Sequence, residues 1–273
     1  MNIISDLYGE NMKITEQLLL EIRTNSFVEN ELMVGGPDVH NEDILKLLNA
    51  LKLNNRIKKI VFLEIEAIDE ECFTLLASLT NLETIIFSES YLTNSGAREL
   101  LKSKVKSLYL NSNNLNDTCL EGIEDNKTLI ELSLCANEFT DSGIEMLSNN
   151  KSIKILMLAQ CNLDDNSTPY LCAMKSLEIL DLDHNMITDV GFKNLNESNI
   201  KEIYLGKNWN ENLIEKITPE RLQLRERAKQ PSPTPAFEAR KKREKLERKE
   251  EVEKEETEQV EASSKRLKPF TGT

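Results

Sequence analysis

The chain has 273 residues, 39% hydrophobic and 30% charged, with a formal net charge of −13; that length and apolar share suit a globular body with a buried core, and no apolar run reaches the roughly 20 residues needed to cross a bilayer. From Pro219 onward there are 15 basic and 12 acidic residues, which leaves 19 basic against 35 acidic in the preceding 218. So acidic a body repels phosphate backbones, which argues against nucleic acid as a partner.

The chain begins MNIISDLYGENMK and carries acids where a signal peptide would be basic. Five cysteines (Cys72, Cys119, Cys135, Cys161, Cys172) form no CxxC pair and are odd in number, which points to reduced thiols in the cytosol. His40 and His184 stand at no metal-ligand spacing from any cysteine, so neither metal nor cofactor is expected. Residues 15–22, TEQLLLEI, predict an amphipathic helix with Thr15 as its cap. A degenerate row begins near Glu29, with Leu32, Val34 and Val39 at the apolar places, so 1–56 is expected to form an N-terminal cap.

From Ile57 the pattern LxxLxLxxN recurs seven times: Ile57-Ile60-Phe62, Leu82-Ile85-Phe87, Val105-Leu108-Leu110, Leu129-Leu132-Leu134, Ile153-Leu156-Leu158, Leu177-Leu180-Leu182 and Ile200-Ile203-Leu205. Row starts are 25, 23, 24, 24, 24 and 23 residues apart, a period that marks a repeat architecture. Positions four and six alternate as a short strand must. Position nine holds Asn113, Asn137, Asn185 and Asn208, with Ser90 and Cys161 substituting and Ile65 departing from the pattern; an amide there can satisfy backbone groups of adjacent turns. Position thirteen reads Asp69, Asn94, Asp117, Asp141, Asp165, Asp189 and Asn212, each a candidate helix N-cap. Gly96, Gly143 or Gly191 comes next in three rows, and apolar pairs three apart, such as Leu120/Ile123 and Ile144/Leu147, predict a short helix.

This pattern resembles the leucine-rich-repeat family over 57–217, and the phrases FTDSGIEML and ITDVGFKNL resemble its ribonuclease-inhibitor and cysteine-containing subclasses. The resemblance implies an α/β solenoid, a horseshoe with a parallel concave β-sheet and convex helices. Thr218-Pro219-Glu220 starts a cap helix expected at 218–229. A Pro/Ser linker at 230–235 then opens a charged, helical or disordered tail to 273. Its acidic run (Glu250, Glu251, Glu253, Glu255, Glu256, Glu258, Glu261) is similar to the glutamate-rich export signal of type IV secreted effectors of intracellular bacteria such as Legionella, several of which carry these repeats. That likeness implies delivery into a host cytosol. A plain solvated tail is the other reading.

In such a horseshoe, positions three, five and seven of each row face the concavity. Position five runs Val61, Ile86, Tyr109, Ser133, Met157, Asp181, Tyr204, and Ile155 and Ile179 are apolar at position three. A solvent-facing sheet surface is polar by default. An apolar protein-binding strip is therefore expected at Ile86, Ile155, Met157 and Ile179, with Tyr109 and Tyr204 as anchors and Glu131, Asp181, Asp183 and Glu202 as acidic contacts. Stabilisation of a short sheet by β-branched residues, or cover by a tail segment, would account for the same residues. Trp209 is read as a rim anchor or a cap-packing residue. No nucleophile elbow, phosphate loop or HExxH occurs. The expectation is a monomeric, non-enzymatic cytosolic module that binds a protein partner; a regulator of a small GTPase or a ubiquitin-ligase-type adaptor is the alternative.

Overall fold

Apolar residues two apart in an extended backbone turn to one side of a sheet, and the rows obey that rule. The computed structural model describes residues 14–36, 39–65, 68–206 and 208. Its strands are β1 (Glu31–Gly35), β2 (Lys59–Leu63), β3 (Thr84–Ser88), β4 (Ser107–Asn111), β5 (Glu131–Ser133), β6 (Ile155–Met157), β7 (Ile179–Asp181) and β8 (Glu202–Tyr204). Among the described residues they form one parallel sheet whose spatial order is the chain order. Register is kept from row to row, so that Ile60, Ile85, Leu108, Leu132, Leu156, Leu180 and Ile203 stand side by side. β1 precedes the regular rows and pairs Leu32 with Ile60 and Val34 with Phe62. A chain that advances by one parallel strand per row, with helical returns between, is a leucine-rich-repeat solenoid. The chain divides into two compact units, 1–230 and 231–273, and every described residue belongs to the first. The cap helix expected at 218–229 and the tail at 230–273 lie outside the described residues.

The returning helices are α1 (Glu16–Arg23), α2 (Asn41–Leu51), α3 (Glu70–Ser78), α4 (Asn94–Leu101), α5 (Asp141–Ser148), α6 (Thr168–Ala173) and α7 (Asp189–Asn196). Thr15 caps α1 by accepting from the Leu18 N–H at 3.2 Å. In later rows the cap is not the residue the sequence pattern suggests. Asn94, Asp141 and Asp189 are already helical, and the threonines before them, Thr93, Thr140 and Thr188, accept from the N–H groups of Gly96, Ser142 and Val190. Extended backbone at the cap suits a β-branched residue. Position thirteen then reaches the next row instead. Asp117 Oδ1 accepts from the Thr140 N–H at 2.9 Å and Asp165 Oδ1 from the Thr188 N–H at 2.8 Å. Asp69 does occupy the cap position of α3, though without a side-chain capping bond.

Row by row, the helix itself is not uniform. Leu120 and Ile123 fall in two 3-10 turns, Asp117–Leu120 and Ile123–Asp125, because Gly122 between them is left-handed at φ 84° and such a residue ends a helical run. A third 3-10 turn, Asp165–Ser167, leads into α6.

Strand and helix stripes meet in a core where Phe62, Phe73 and Phe87 are fully buried. Phe62 stacks on Phe87 with centroids 4.4 Å apart, and Phe73 tilts against Phe87 at 5.9 Å. A Cβ on Gly96 would lie 2.5 Å from the Phe73 ring, and Cβ atoms on Gly143 and Gly191 would lie 2.2 and 2.3 Å from Oδ1 of Asp117 and Asp165. The patterned glycines are thus where one row presses on the helix start of the next.

Buried backbone groups between rows are met by side-chain amides. Asn137 Nδ2 donates to Leu110 O at 2.9 Å and Leu134 O at 2.8 Å, while its Oδ1 accepts from the N–H groups of Asn113 at 3.1 Å and Leu115 at 2.9 Å. Asn185 repeats this with Leu158 and Leu182 as acceptors and Cys161 and Leu163 as donors. Cys161 holds the place with a sulfur 3.3 Å from Leu134 O. The buried Ile65 cannot bond through its side chain, yet its N–H reaches Ser90 Oγ at 3.2 Å. A second ladder, which the row alignment did not single out, uses Asn54, Asn126 and Asn150, each three residues before a row start. Their amides donate to Ile22 O at 2.9 Å, Leu101 O at 2.7 Å and Ile123 O at 2.7 Å, and accept from the N–H groups of Ile57, Leu129 and Ile153. Its signal is the recurring phrase NNRI, NKTL, NKSI.

Candidate protein-binding face

Positions three, five and seven project from the side of the sheet opposite the helices. Position five is a floor. Val61, Ile86, Tyr109 and Met157 form a second apolar cluster, against which Met33, Leu63, Cys135 and Ile155 pack. Ile86 is 2%, Tyr109 5% and Met157 7% exposed, so these three do not present the exposed surface expected of them. Each stands between in-register neighbours one strand spacing away, about 4.8 Å, with positions three and seven on its flanks.

The polar members of that column are also buried. Ser133 Oγ donates to Asn111 Oδ1 at 2.7 Å, and the same oxygen accepts from the Cys135 N–H at 2.8 Å. Asp181 Oδ1 accepts from the Asp183 N–H at 2.9 Å. Burial, reinforced by the neighbouring Glu131 carboxylate, holds the Tyr109 phenol far above its ordinary pKa, so it stays protonated. Tyr204, only half-buried, donates its hydroxyl proton to Glu202 Oε2 at 2.9 Å.

On β5 to β8 positions three and seven carry the accessible surface. Glu131, Ile155, Ile179 and Glu202 are consecutive register neighbours on β5 to β8, and all four are partly exposed. Ser107 Oγ donates to Glu131 Oε2 at 3.1 Å. Further toward the start of the sheet, Lys59 pairs with Glu31 at 2.8 Å. On position seven, Asp183 lies 2.9 Å from His184 Nδ1 through Oδ2 and accepts from the His184 N–H through Oδ1. A Cβ on Gly206 would clash with this carboxylate.

The expected residues thus separate into three columns: Ile86, Tyr109, Met157, Asp181 and Tyr204 at position five, Glu131, Ile155, Ile179 and Glu202 at position three, and Asp183 at position seven. Trp209 lies outside the described residues. The thiols that feel the Asp181 carboxylate are poor nucleophiles, because burial pushes Cys135 up to about 11 and Cys161 higher still. Among the described residues no group of three or more His, Cys, Asp or Glu is placed to hold a metal ion. No helix among them is long and apolar enough to cross a membrane.

No family model and no curated protein matches the sequence. Solved structures do. The chain is similar to that of a TLR13–ssRNA13 complex at 19% identity, with 64% of this chain and 29% of that one covered and a TM-score of 0.43. A protein from Bacteroides fragilis matches at 12% identity over 76% of this chain and 73% of its own, with a TM-score of 0.47. Actin-binding site 2 of leiomodin-1 matches at 19% identity, 53% and 79% coverage and a TM-score of 0.32. The chain therefore spans under a third of the TLR13 chain, and the fold assignment rests on its own strand register.

Proposed function

We propose that this protein is a non-catalytic binding module that takes a protein partner on the open strand face, chiefly over β5 to β8. One observation carries the reading: Ile155 and Ile179 stand side by side and partly exposed on the solvent side of the sheet, where a sheet covered by helices on one face only is polar by default. In this reading Ile155, Ile179, Glu131, Glu202, Asp183 and Tyr204 touch the partner, and Ile86, Tyr109, Met157 and Asp181 form the floor that holds them in place. The test compares partners retained by the immobilised full chain and by two variants. Ile155→Arg should lose a partner that Val190→Arg keeps, since Val190 is exposed on α7. Retention by Ile155→Arg, or loss with Val190→Arg alone, moves binding off the strand face.

The glutamate-rich sequence at 250–261 supports a second proposal, that the module is exported by type IV secretion and acts on a host protein. An adenylate-cyclase fusion should raise host cyclic AMP only when the secretion system is intact; a signal that persists without that system removes the proposal.

A further inference from the structure

We infer that the side of the solenoid at which its strands begin docks on an anionic bilayer surface, with Val28 and Leu53 entering the headgroup layer. This goes beyond the strand-face reading and stands without it. Because all the strands are parallel, every turn that leads into a strand lies along one side of the stack, and every turn that leaves a strand lies along the other. Charge divides between the two. The turns into β1 to β8 are 24–30, 52–58, 79–83, 102–106, 126–130, 149–154, 174–178 and 197–201. They hold eleven Lys or Arg against four Asp or Glu, so this side is basic on an acidic body. Among the described residues the turns out of β1 to β7 hold six Asp or Glu and no Lys or Arg. Cations near a helix C-terminus complement its dipole, but that effect ends with the last turn. The last turns of α2, α3, α5 and α6 have no Lys or Arg, and Lys104, Lys106, Lys151 and Lys154 lie past the helix ends, close to the strands.

This charge is exposed and only partly neutralised. Lys102, Lys106, Lys154 and Lys201 have carboxylate partners. Lys52 donates to Asn49 Oδ1, Arg56 to Asn25 O and Lys151 to Ser148 O, each at 3.0 Å; these neutral oxygens leave the positive charge in place. Lys104 and Lys175 are exposed as well. Glu124 and Asp125 precede Lys127, so the charge is concentrated in 52–58, 102–106 and 149–154. The acids of the opposite side lie about 20 Å away, six residues of strand, which exceeds two screening lengths at physiological salt. An approaching surface therefore meets the local charge, not the net charge of the chain.

Apolar tips stand at one end of this basic side. Val28 is 81% and Leu53 66% exposed, and their turns adjoin. Asn25 Nδ2 donates to Leu53 O at 3.3 Å, and Asn25 Oδ1 accepts from the Asn55 N–H at 2.9 Å. The same two turns expose Lys52 and Arg56, with Glu29 their one acid, and the exposed Arg23 ends the helix before them. Tyr91 and Met186 are exposed too, but in turns that leave strands and carry no Lys or Arg. Aliphatic tips gain nothing from a phosphate backbone. At a bilayer they reach the acyl boundary while the lysines meet anionic headgroups. The basic turns follow one another along about 29 Å of sheet, six strand spacings from β2 to β8, and a planar anionic surface engages all of them together.

The test is sedimentation of the full chain with vesicles of phosphatidylcholine, alone or mixed with phosphatidylserine. The chain should sediment only with the anionic vesicles, and less as salt is raised. Lys104→Gln/Lys151→Gln should weaken binding about tenfold or more, and Val28→Ser/Leu53→Ser by a similar factor. The control Lys46→Gln/Lys193→Gln makes the same change in net charge on α2 and α7 and should bind as the parent does, as should Val190→Ser. Unchanged melting temperatures confirm that the variants fold. Binding that neither variant pair weakens belongs to another basic stretch, such as 240–249, and overturns the inference. Equal binding to neutral vesicles, or none to either kind, overturns it too. Self-association without vesicles that disappears with the lysine pair would assign this side to a second copy instead.

Discussion

Asn137 meets five backbone groups in two adjacent rows, and its own side chain is buried. Asn137→Ala leaves those groups unpaired away from water and should cost on the order of 3 kcal/mol in urea unfolding; Asn149→Ala, at an exposed helix end, should cost far less. Cys161 stands at the equivalent place one row later with only a weak thiol donor. Cys161→Asn restores an amide donor and acceptor there and should raise the melting temperature. A fall would mean that the row packs too tightly around sulfur to admit the amide. A steric counterpart lies at Gly143, whose missing Cβ makes room for Asp117. Gly143→Ala should cost about 1–3 kcal/mol, and much less in an Asp117→Ala background, because the two residues share one contact. Additive losses in that double-mutant cycle would place the strain elsewhere.

Within α5 the cap and the inter-row bond belong to different residues. Thr140 accepts from the Ser142 N–H at 3.2 Å and donates its hydroxyl proton to Asp117, whereas Asp141 accepts from Ser167 Oγ at 2.8 Å. Thr140→Ala should therefore cost about 1 kcal/mol or more, and Asp141→Ala less, as measured by thermal melts monitored by circular dichroism. The reverse ranking would return the cap to position thirteen. The one-residue offset has a simple origin: Thr and Asp are both good caps, adjacent in TD at 140–141 and 188–189, and the repeat pattern alone does not say which is extended and which is helical. Only the next row, waiting for an aspartate to accept its threonine N–H, decides it.

All five cysteines are free thiols. Burial raises Cys72 and Cys135 to about 11 and Cys119 to about 12, with Cys161 and Cys172 raised as well. Thiolates are the reactive form, so the folded protein should react slowly with Ellman's reagent at pH 8 and release all five thiols quickly in urea. Fast labelling of Cys135, which is only half-buried, would mean that the strand face opens more readily than its packing implies. A solenoid distributes stability between neighbouring rows, so an unfolding phase seen by thiol release should begin in a group of rows and spread.

The sequence by itself determined the repeat, its period, the strand positions and the asparagine ladder, because each depends on residue type recurring at a local spacing. It also marked Ile155, Ile179, Glu131 and Glu202 as residues of one face, since alternation along a strand assigns faces without reference to neighbours. What it left open were quantities that depend on several rows at once. Whether Tyr109, Ile86 and Met157 stand out from the face or sink into it is set by the side chains one strand away, and the tertiary structure makes them the floor of a second cluster. Whether the third row, which starts at Val105, coils into an α-helix was decided by the left-handed Gly122. The acid–Ile–Ile–acid order exists in no stretch of sequence at all: its members lie 24, 24 and 23 residues apart, and only parallel pairing in register brings them into one line.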